Sequence, residues 1–209
     1  MSRCVIIGGG PYTNTDVLAA MVAAEDMVIA ADSGWKLAEK MRLSPSVLVA
    51  DFDSMSEPQL PDGIKVVNLP IEKDDTDTAV AMQEGYDSGF RSFLLLGCTG
   101  GRLDHYFATL TVAAQFAVKG CEVVIADEQN LIRVLSPGDY TYDSAPGEIV
   151  SLFAFAQDVV DLSVDNLAYE INHFTLSPLN PLCVSNAATA NEIHVRFSGG
   201  ILLLHFSKD

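Results

Sequence analysis

The sequence predicts an α/β N-terminal domain, with a mainly parallel sheet flanked by helices, followed by an all-β, sandwich-like C-terminal domain. Three observations predict it. Over the first two thirds of the 209 residues, short β-branched runs alternate with longer helical patterns, as in a parallel sheet with helices on its faces. Most of those runs are apolar throughout, as strands covered on both sides are. Beyond Leu135 the helical periodicity stops, and turn residues separate short alternating runs.

In chain order, strands are expected at residues 4–7, 27–31, 47–50, 64–69, 92–96 and 121–126, and helices at 15–24, 34–43, 75–89 and 104–119. In the third helix Ala79, Met82 and Tyr86 share a face. In the fourth Tyr106, Leu110, Ala113 and Ala117 do, and Gly120 supplies the stop. Ser136-Pro137-Gly138-Asp139 and Ala145-Pro146-Gly147 are turn chemistry. Antiparallel strands are expected at 149–155, 159–164, 168–171, 193–197 and 201–206, with Ser198-Gly199-Gly200 as a hairpin turn. The domains are therefore 1–135 and 136–209, with no repeats and no low-complexity linker.

The formal net charge is −16. A surface this acidic repels nucleic-acid backbones and anionic lipid, so neither is expected as a partner. It also resists any anionic substrate, to which a metal ion is one answer. The four cysteines are scattered with no C-x-x-C pair, as reduced thiols in a cytoplasmic protein are. Val5-Ile6-Ile7 before a glycine run is too short for a signal-peptide core, and no apolar stretch reaches the roughly 20 residues of a membrane span. A cytoplasmic location is expected.

In an open parallel sheet, ligands bind beyond the carboxyl ends of the strands. Here those ends carry Asp32-Ser33, Asp51-Phe52-Asp53-Ser54, Lys73-Asp74-Asp75-Thr76-Asp77 and the run from Gly97 to Asp104. Each has a bland reading. Asp32 and Ser33 can cap a helix, Asp75 and Asp77 can complement a helix dipole, and Gly8-Gly9-Gly10-Pro11 is a glycine-rich turn that can, but need not, touch phosphate. Together, carboxylates on one rim repel one another. Mg²⁺, which takes hard oxygen ligands, removes that penalty. Lys73 and Arg102 can neutralise phosphate oxygens, Arg102 in a two-pronged way. Gly100-Gly101 lets the main chain approach a polyphosphate. The residues alone predict Mg²⁺-dependent phosphoryl or diphosphoryl transfer.

At this point the chain resembles the thiamin pyrophosphokinase family, nearly end to end. Ala31-Asp32-Ser33-Gly34 resembles A-D-G-G, Ala50-Asp51-Phe52-Asp53-Ser54 G-D-F-D-S, Lys73-Asp74-Asp75-Thr76-Asp77 K-D-x-T-D, and Gly97 through His105 G-x-x-G-G-R-x-D-H. Residues 166–171 are similar to G-L-x-Y-x-L, and Ser185-Asn186 to S-N. The resemblance implies transfer of diphosphate from ATP to the hydroxyl of thiamin, in a homodimer with its active site at the interface. It implies Mg²⁺ on Asp51, Asp53, Asp77 and Asp74, and ATP contacts from Asp32, Lys73, Thr99 and Arg102. Catalytic roles fall to Asp53, Asp77, Arg102 and Asp104, the last as candidate base, and thiamin contacts to Ser185 and Asn186. Two departures stand out. Ala187-Ala188-Thr189 follows the S-N pair where the family commonly has an aromatic residue, and Asn166 replaces a glycine. The alternatives are a related pyrophosphokinase acting on a pterin alcohol or thiamin analogue, a non-catalytic nucleotide or thiamin sensor, and a metal phosphohydrolase.

Overall fold

The structure is a computed structural model and describes residues 2–51, 63–68 and 75–208. The chain forms two compact units, the first ending at Glu128 and the second running from Gln129, with Ala117–Gly120 grouped with the second.

The first unit contains strands β1 (Cys4–Ile7), β2 (Met27–Ala31), β3 (Val47–Ala50), β4 (Lys65–Asn68), β5 (Ser92–Leu96) and β6 (Glu122–Ala126). Between them lie helices α1 (Thr15–Ala19), α2 (Gly34–Lys40), α3 (Asp77–Asp87) and α4 (Leu103–Val118). The strands pair in parallel in the order β6-β5-β1-β2-β3-β4. Every side chain of β1 is fully buried, because a central parallel strand is covered on both faces. Val5, Ile7, Leu94 and Leu96 pack with Leu18, Leu37 and Met41, while Ala30, Leu48 and Ala50 pack with Trp35. Trp35 is therefore a packing residue. α3 presses on β1, since a β-carbon on Gly85 would stand 2.7 Å from Cys4 Sγ. Its packed face centres on Ala81, Met82 and Gly85, with Ala79 and Tyr86 half-buried beside it. On α4, Leu110, Ala113 and Ala117 are buried as the spacing predicts, and Gly120, at φ +83, follows its end. Among the described residues no helix is long and apolar enough to cross a membrane.

α1 is shorter than its pattern. The Arg3 guanidinium donates to the Met21 carbonyl, and Asp26 accepts from the Ala23 amide at 2.9 Å and from Arg3 Nε at 3.0 Å. Those side chains take backbone groups that a longer helix would use, so the segment ends in tight turns.

The second unit contains β7 (Asn130–Leu135), β8 (Gly138–Asp143), β9 (Ile149–Ala154), β10 (Val159–Asp165), β11 (Ile171–Leu176), β12 (Asn186–Ala187), β13 (Glu192–Phe197) and β14 (Leu202–Ser207). All pair antiparallel within it, as β12-β9-β14-β7 and β11-β10-β13-β8. Leu152, Leu202 and Leu204 from the first set share one core with Leu162, Val195 and Phe197 from the second. This is a sandwich.

Several features of this unit differ from the sequence reading: β8 begins at Gly138, inside a segment expected as a turn, and neither it nor β12 was among the expected strands. β7, left in the first segment by that reading, pairs with β14 along its whole length. Ser198-Gly199-Gly200 is not a hairpin turn, because β13 pairs β8 and β10 while β14 pairs β7 and β9. The segment crosses between sheets, with Gly199 bridged to Val160. Alternation specifies which face a strand buries, not which partner it takes. Finally, the expected strand at 168–171 begins only at Ile171. Asn186 is buried, and its side chain accepts the Tyr169 amide at 3.0 Å and donates to the Tyr169 carbonyl at 2.7 Å. Tyr169 thus spends its backbone groups on a side chain instead of a ladder.

That clamp gives a prediction. Asn186→Ala leaves the amide and carbonyl of Tyr169 without these partners, and should lower unfolding free energy by about 2 kcal/mol. Urea titration reads it as a lower midpoint at unchanged slope. A loss under about 0.5 kcal/mol, within the range of an ordinary surface change, would make the clamp dispensable.

Candidate active site

The strand order sets the site. From β1 the chain moves outward through β2, β3 and β4, then returns to the other side of β1 as β5. The carboxyl ends of β1 and β5 are therefore a topological switch point, where the loops diverge and leave a crevice. A cleft of about 460 Å³ lies there. It is lined by Gly8–Gly10 and Pro11 after β1, Asp32 and Ser33 after β2, and residues 97–102 after β5, with residues 76–78 opening α3 and His105 and Thr109 on α4.

The glycines after β1 are explained by close approach. Gly8 N–H donates to Leu96 O at 2.8 Å and Gly10 N–H to Gly97 O at 2.7 Å. A β-carbon on Gly9 would stand 1.8 Å from Ser33 Oγ. Gly97 takes φ +64 with Gly8 O only 2.4 Å from where its β-carbon would be. Two amides of this turn are spent on the end of β5 and on Gly97 just after it, so the turn spaces the cleft's walls.

Asp32 is not a cap. Ser33 stands at the start of α2 without a side-chain capping bond. Asp32 itself takes φ +47, an unfavourable conformation for a residue with a β-carbon. Its amide donates to Val49 O at 2.7 Å. Its Oδ1 is buried with no hydrogen-bond partner among the described residues. Strain and an unsatisfied carboxylate oxygen at a cleft wall are features that binding sites tolerate and folding alone does not favour.

Asp77 lines the cleft at the first position of α3, after the cap Thr76, whose Oγ1 accepts from Ala79 N–H at 3.2 Å. Its bland role at the helix dipole is thus satisfied in the same position that faces the cleft. Asp51 follows β3 on the same sheet edge. Asp53, Lys73 and Asp74, also expected at the site, lie outside the described residues. Among the described residues no three Asp, Glu, His or Cys side chains are grouped to hold a metal. Of the four aspartates expected to hold Mg²⁺, Asp51 and Asp77 lie among the described residues, and both offer the hard carboxylate oxygens that this ion takes.

Arg102 and Asp104 form a forked pair, Nε to Oδ1 at 3.1 Å and Nη2 to Oδ2 at 2.5 Å. Both side chains are exposed. The hydrogen bond from Arg102 is the main cause holding the Asp104 carboxyl below its usual range, and raises Arg102 in return. A carboxylate so held is a weaker base than an unpaired one. Thr99 Oγ1 donates to Asp127 Oδ2 at 2.8 Å. Cys98 also lines the cleft, but burial pushes its thiol up to about 12, so it supplies no nucleophile. Asp127 and Glu128, which the sequence reading did not single out, sit just beyond β6 on the same carboxyl edge. The strand-end rule that selected Asp32 applies equally to them.

Ser185 and Asn186 belong to the second unit. Ser185 is exposed at φ +55, and its amide donates to Ser151 Oγ at 3.0 Å. Asn186 is spent on Tyr169, as described above. Asn166 takes φ +67, the left-handed conformation for which Asn is a tolerable replacement of glycine.

A family model described as thiamin pyrophosphokinase, catalytic domain, matches residues 18–125. The chain belongs to the thiamin pyrophosphokinase family. A second model, thiamin pyrophosphokinase, vitamin B1 binding domain, matches residues 139–202 of this family member. The thiamine pyrophosphokinase of Bacillus subtilis is 24% identical over 214 residues, covering 100% of both chains. The crystal structure of the enzyme from that organism has a TM-score of 0.87 over 100% of both chains at 24% identity, a likeness of fold. The thiamin pyrophosphokinase structure from Geobacillus thermodenitrificans has a TM-score of 0.86 at 28% identity, over 99% of this chain and 98% of that one.

Proposed function

We propose that the chain transfers diphosphate from ATP to the hydroxyl of thiamin, giving thiamin diphosphate and AMP. The observation that carries this reading is the switch-point cleft of a thiamin pyrophosphokinase family chain, walled by Asp32, Asp77, Thr99 and Arg102. The thiamin hydroxyl attacks the β-phosphorus in line, and AMP leaves. Arg102 stabilises charge on the transferring group, and the cleft holds donor and acceptor aligned. A phosphate oxygen that takes over the guanidinium releases Asp104 from its pair, and restores its strength as a base for the hydroxyl proton. Asp51, Asp53, Asp74 and Asp77 would hold Mg²⁺, which would neutralise polyphosphate charge in this otherwise acidic site. A cytoplasmic location goes with this reading.

The same reading includes a homodimer whose second units complete the partner's site around Ser185. Its support is a surface. Residues 171–191 contain no Asp, Glu, Lys or Arg in a chain of net charge −16. Leu179 is 93% and Leu182 65% exposed there. A second copy would meet no carboxylate repulsion from this segment itself and would find apolar surface on it.

Incubation with Mg-ATP and thiamin, followed by chromatography of both products, tests the reaction. AMP and thiamin diphosphate should appear in equal amounts. ADP with thiamin monophosphate would mean attack at the γ-phosphorus, and phosphate release without an acceptor product would mean hydrolysis. Either outcome sinks the proposal.

A further inference from the structure

Thr99 lines the cleft, and its hydroxyl donates to Asp127 at 2.8 Å. A carboxylate only accepts, so the single proton of Thr99 Oγ1 is spent on it. What Oγ1 retains is acceptor capacity. Phosphate oxygens at neutral pH are acceptors as well, and the charge of Asp127 repels them. Three residues later, Arg102 carries donors only. One loop therefore holds an acceptor at one place and a fork of donors at another.

The arrangement is braced. Glu128, next to Asp127, accepts from Thr13 N–H at 2.5 Å, from Thr13 Oγ1 at 2.6 Å and from the Asn14 amide. This ties the end of β6 to the loop after β1. Pro11, on that loop, lies 3.1 Å from where β-carbons of Gly100 and Gly101 would stand. The segment after β6 thus grips the loops after β1 and β5, and Asp127 is held where it sets the Thr99 hydroxyl.

We propose that Asp127 is a positioning residue that fixes Thr99 as the acceptor for a hydrogen-bond donor of the nucleoside, a ribose hydroxyl or the exocyclic amine of the base. The nucleoside end of ATP then lies at the β5–β6 side of the cleft, and its phosphates lie toward Arg102 and the aspartates. This rests on the proposed use of ATP and adds its orientation.

The experiment is a substrate–variant cycle by titration calorimetry, without thiamin. Mg-ATP is compared with the Mg complexes of 2′-deoxy-ATP, 3′-deoxy-ATP and purine riboside triphosphate, which lacks the amine. One of these analogues should bind wild type about fivefold more weakly than ATP, the worth of one neutral hydrogen bond. Thr99→Val should weaken ATP by the same factor and leave that analogue unchanged. The cycle also says which donor is read. Asp127→Ala should weaken ATP and spare the same analogue, which a merely structural defect would not do. Thermal unfolding checks its fold, and if it does not fold, Thr99→Val alone decides.

Equal weakening of ATP and all three analogues by Thr99→Val would overturn the inference, as would no effect on any. A wild-type chain that shows the expected cycle but makes no thiamin diphosphate would sink the proposed reaction and leave this orientation standing. Absence of ATP binding would remove both.

Discussion

Asp77→Asn should lower kcat for diphosphate transfer by at least about 10²-fold, the order lost when a group stabilising the transition state is removed. The side chain lines the cleft at the first residue of α3, and it is one of the four aspartates expected to hold Mg²⁺. Asn keeps the shape and one oxygen but loses the charge, so metal binding should weaken while the backbone stays as it was. The half-saturating Mg²⁺ concentration should therefore rise along with the loss of turnover. Two opposed effects act on stability. The helix N-terminus loses a favourable carboxylate, worth about 0.5–1 kcal/mol, and the rim loses one repelling charge. The melting temperature should consequently shift little. Steady-state kinetics across a Mg²⁺ series, with circular dichroism of both proteins, reads all three quantities. Near-normal turnover would reduce Asp77 to a helix-terminal residue and remove it from the metal set.

The parts of this molecule that were legible in the sequence are those fixed by burial. β1, β2, β3 and β5 have the bounds the sequence predicts, because strands buried over all or nearly all of their length must be apolar there. That Asp32, Thr99 and Arg102 line one cleft was legible for a related reason. Parallel strands place their carboxyl ends on one edge, so residues just after them share a rim whatever the rest of the chain does. Partner choice was not legible. Nothing in 193–206 says that its two strands enter different sheets, since alternation is satisfied equally by a hairpin and by a crossover. Side-chain capture of backbone was hidden too. Asn186 takes the main chain of Tyr169 across 17 residues, and a propensity read over a short window cannot contain that contact. The strand-end rule places Asp127 on the rim, but its pairing with Thr99, 28 residues away, was hidden for a similar reason. Functional side chains at strand ends announce a rim. Which hydroxyl each carboxylate orients appears only when the loops are folded against one another.

An equal, co-refolded mixture of two inactive variants should recover about one quarter of wild-type activity, if the second unit completes its partner's site. A two-fold dimer repeats one interface, so each site combines the cleft of one protomer with the Ser185 region of the other. One variant is Asp77→Asn, which damages the cleft. The other is Ser185→Trp, which places bulk on the exposed segment that carries no charge from 171 to 191. Ser185 already holds φ +55, so Trp there adds local strain, and its melting curve must match wild type before it is used. Each variant alone should be nearly inactive. After co-refolding in equal amounts, about half of the dimers are mixed, and each mixed dimer has one doubly damaged site and one intact site. Half of the dimers with half of their sites working gives the quarter. Differential affinity tags isolate the mixed species, which should then show about half of wild-type activity per dimer. Mixed dimers that stay inactive would place Asp77 and Ser185 in the site of a single chain. A chain that sediments as a monomer at full activity would remove the interface altogether, and the uncharged segment would need another occupant.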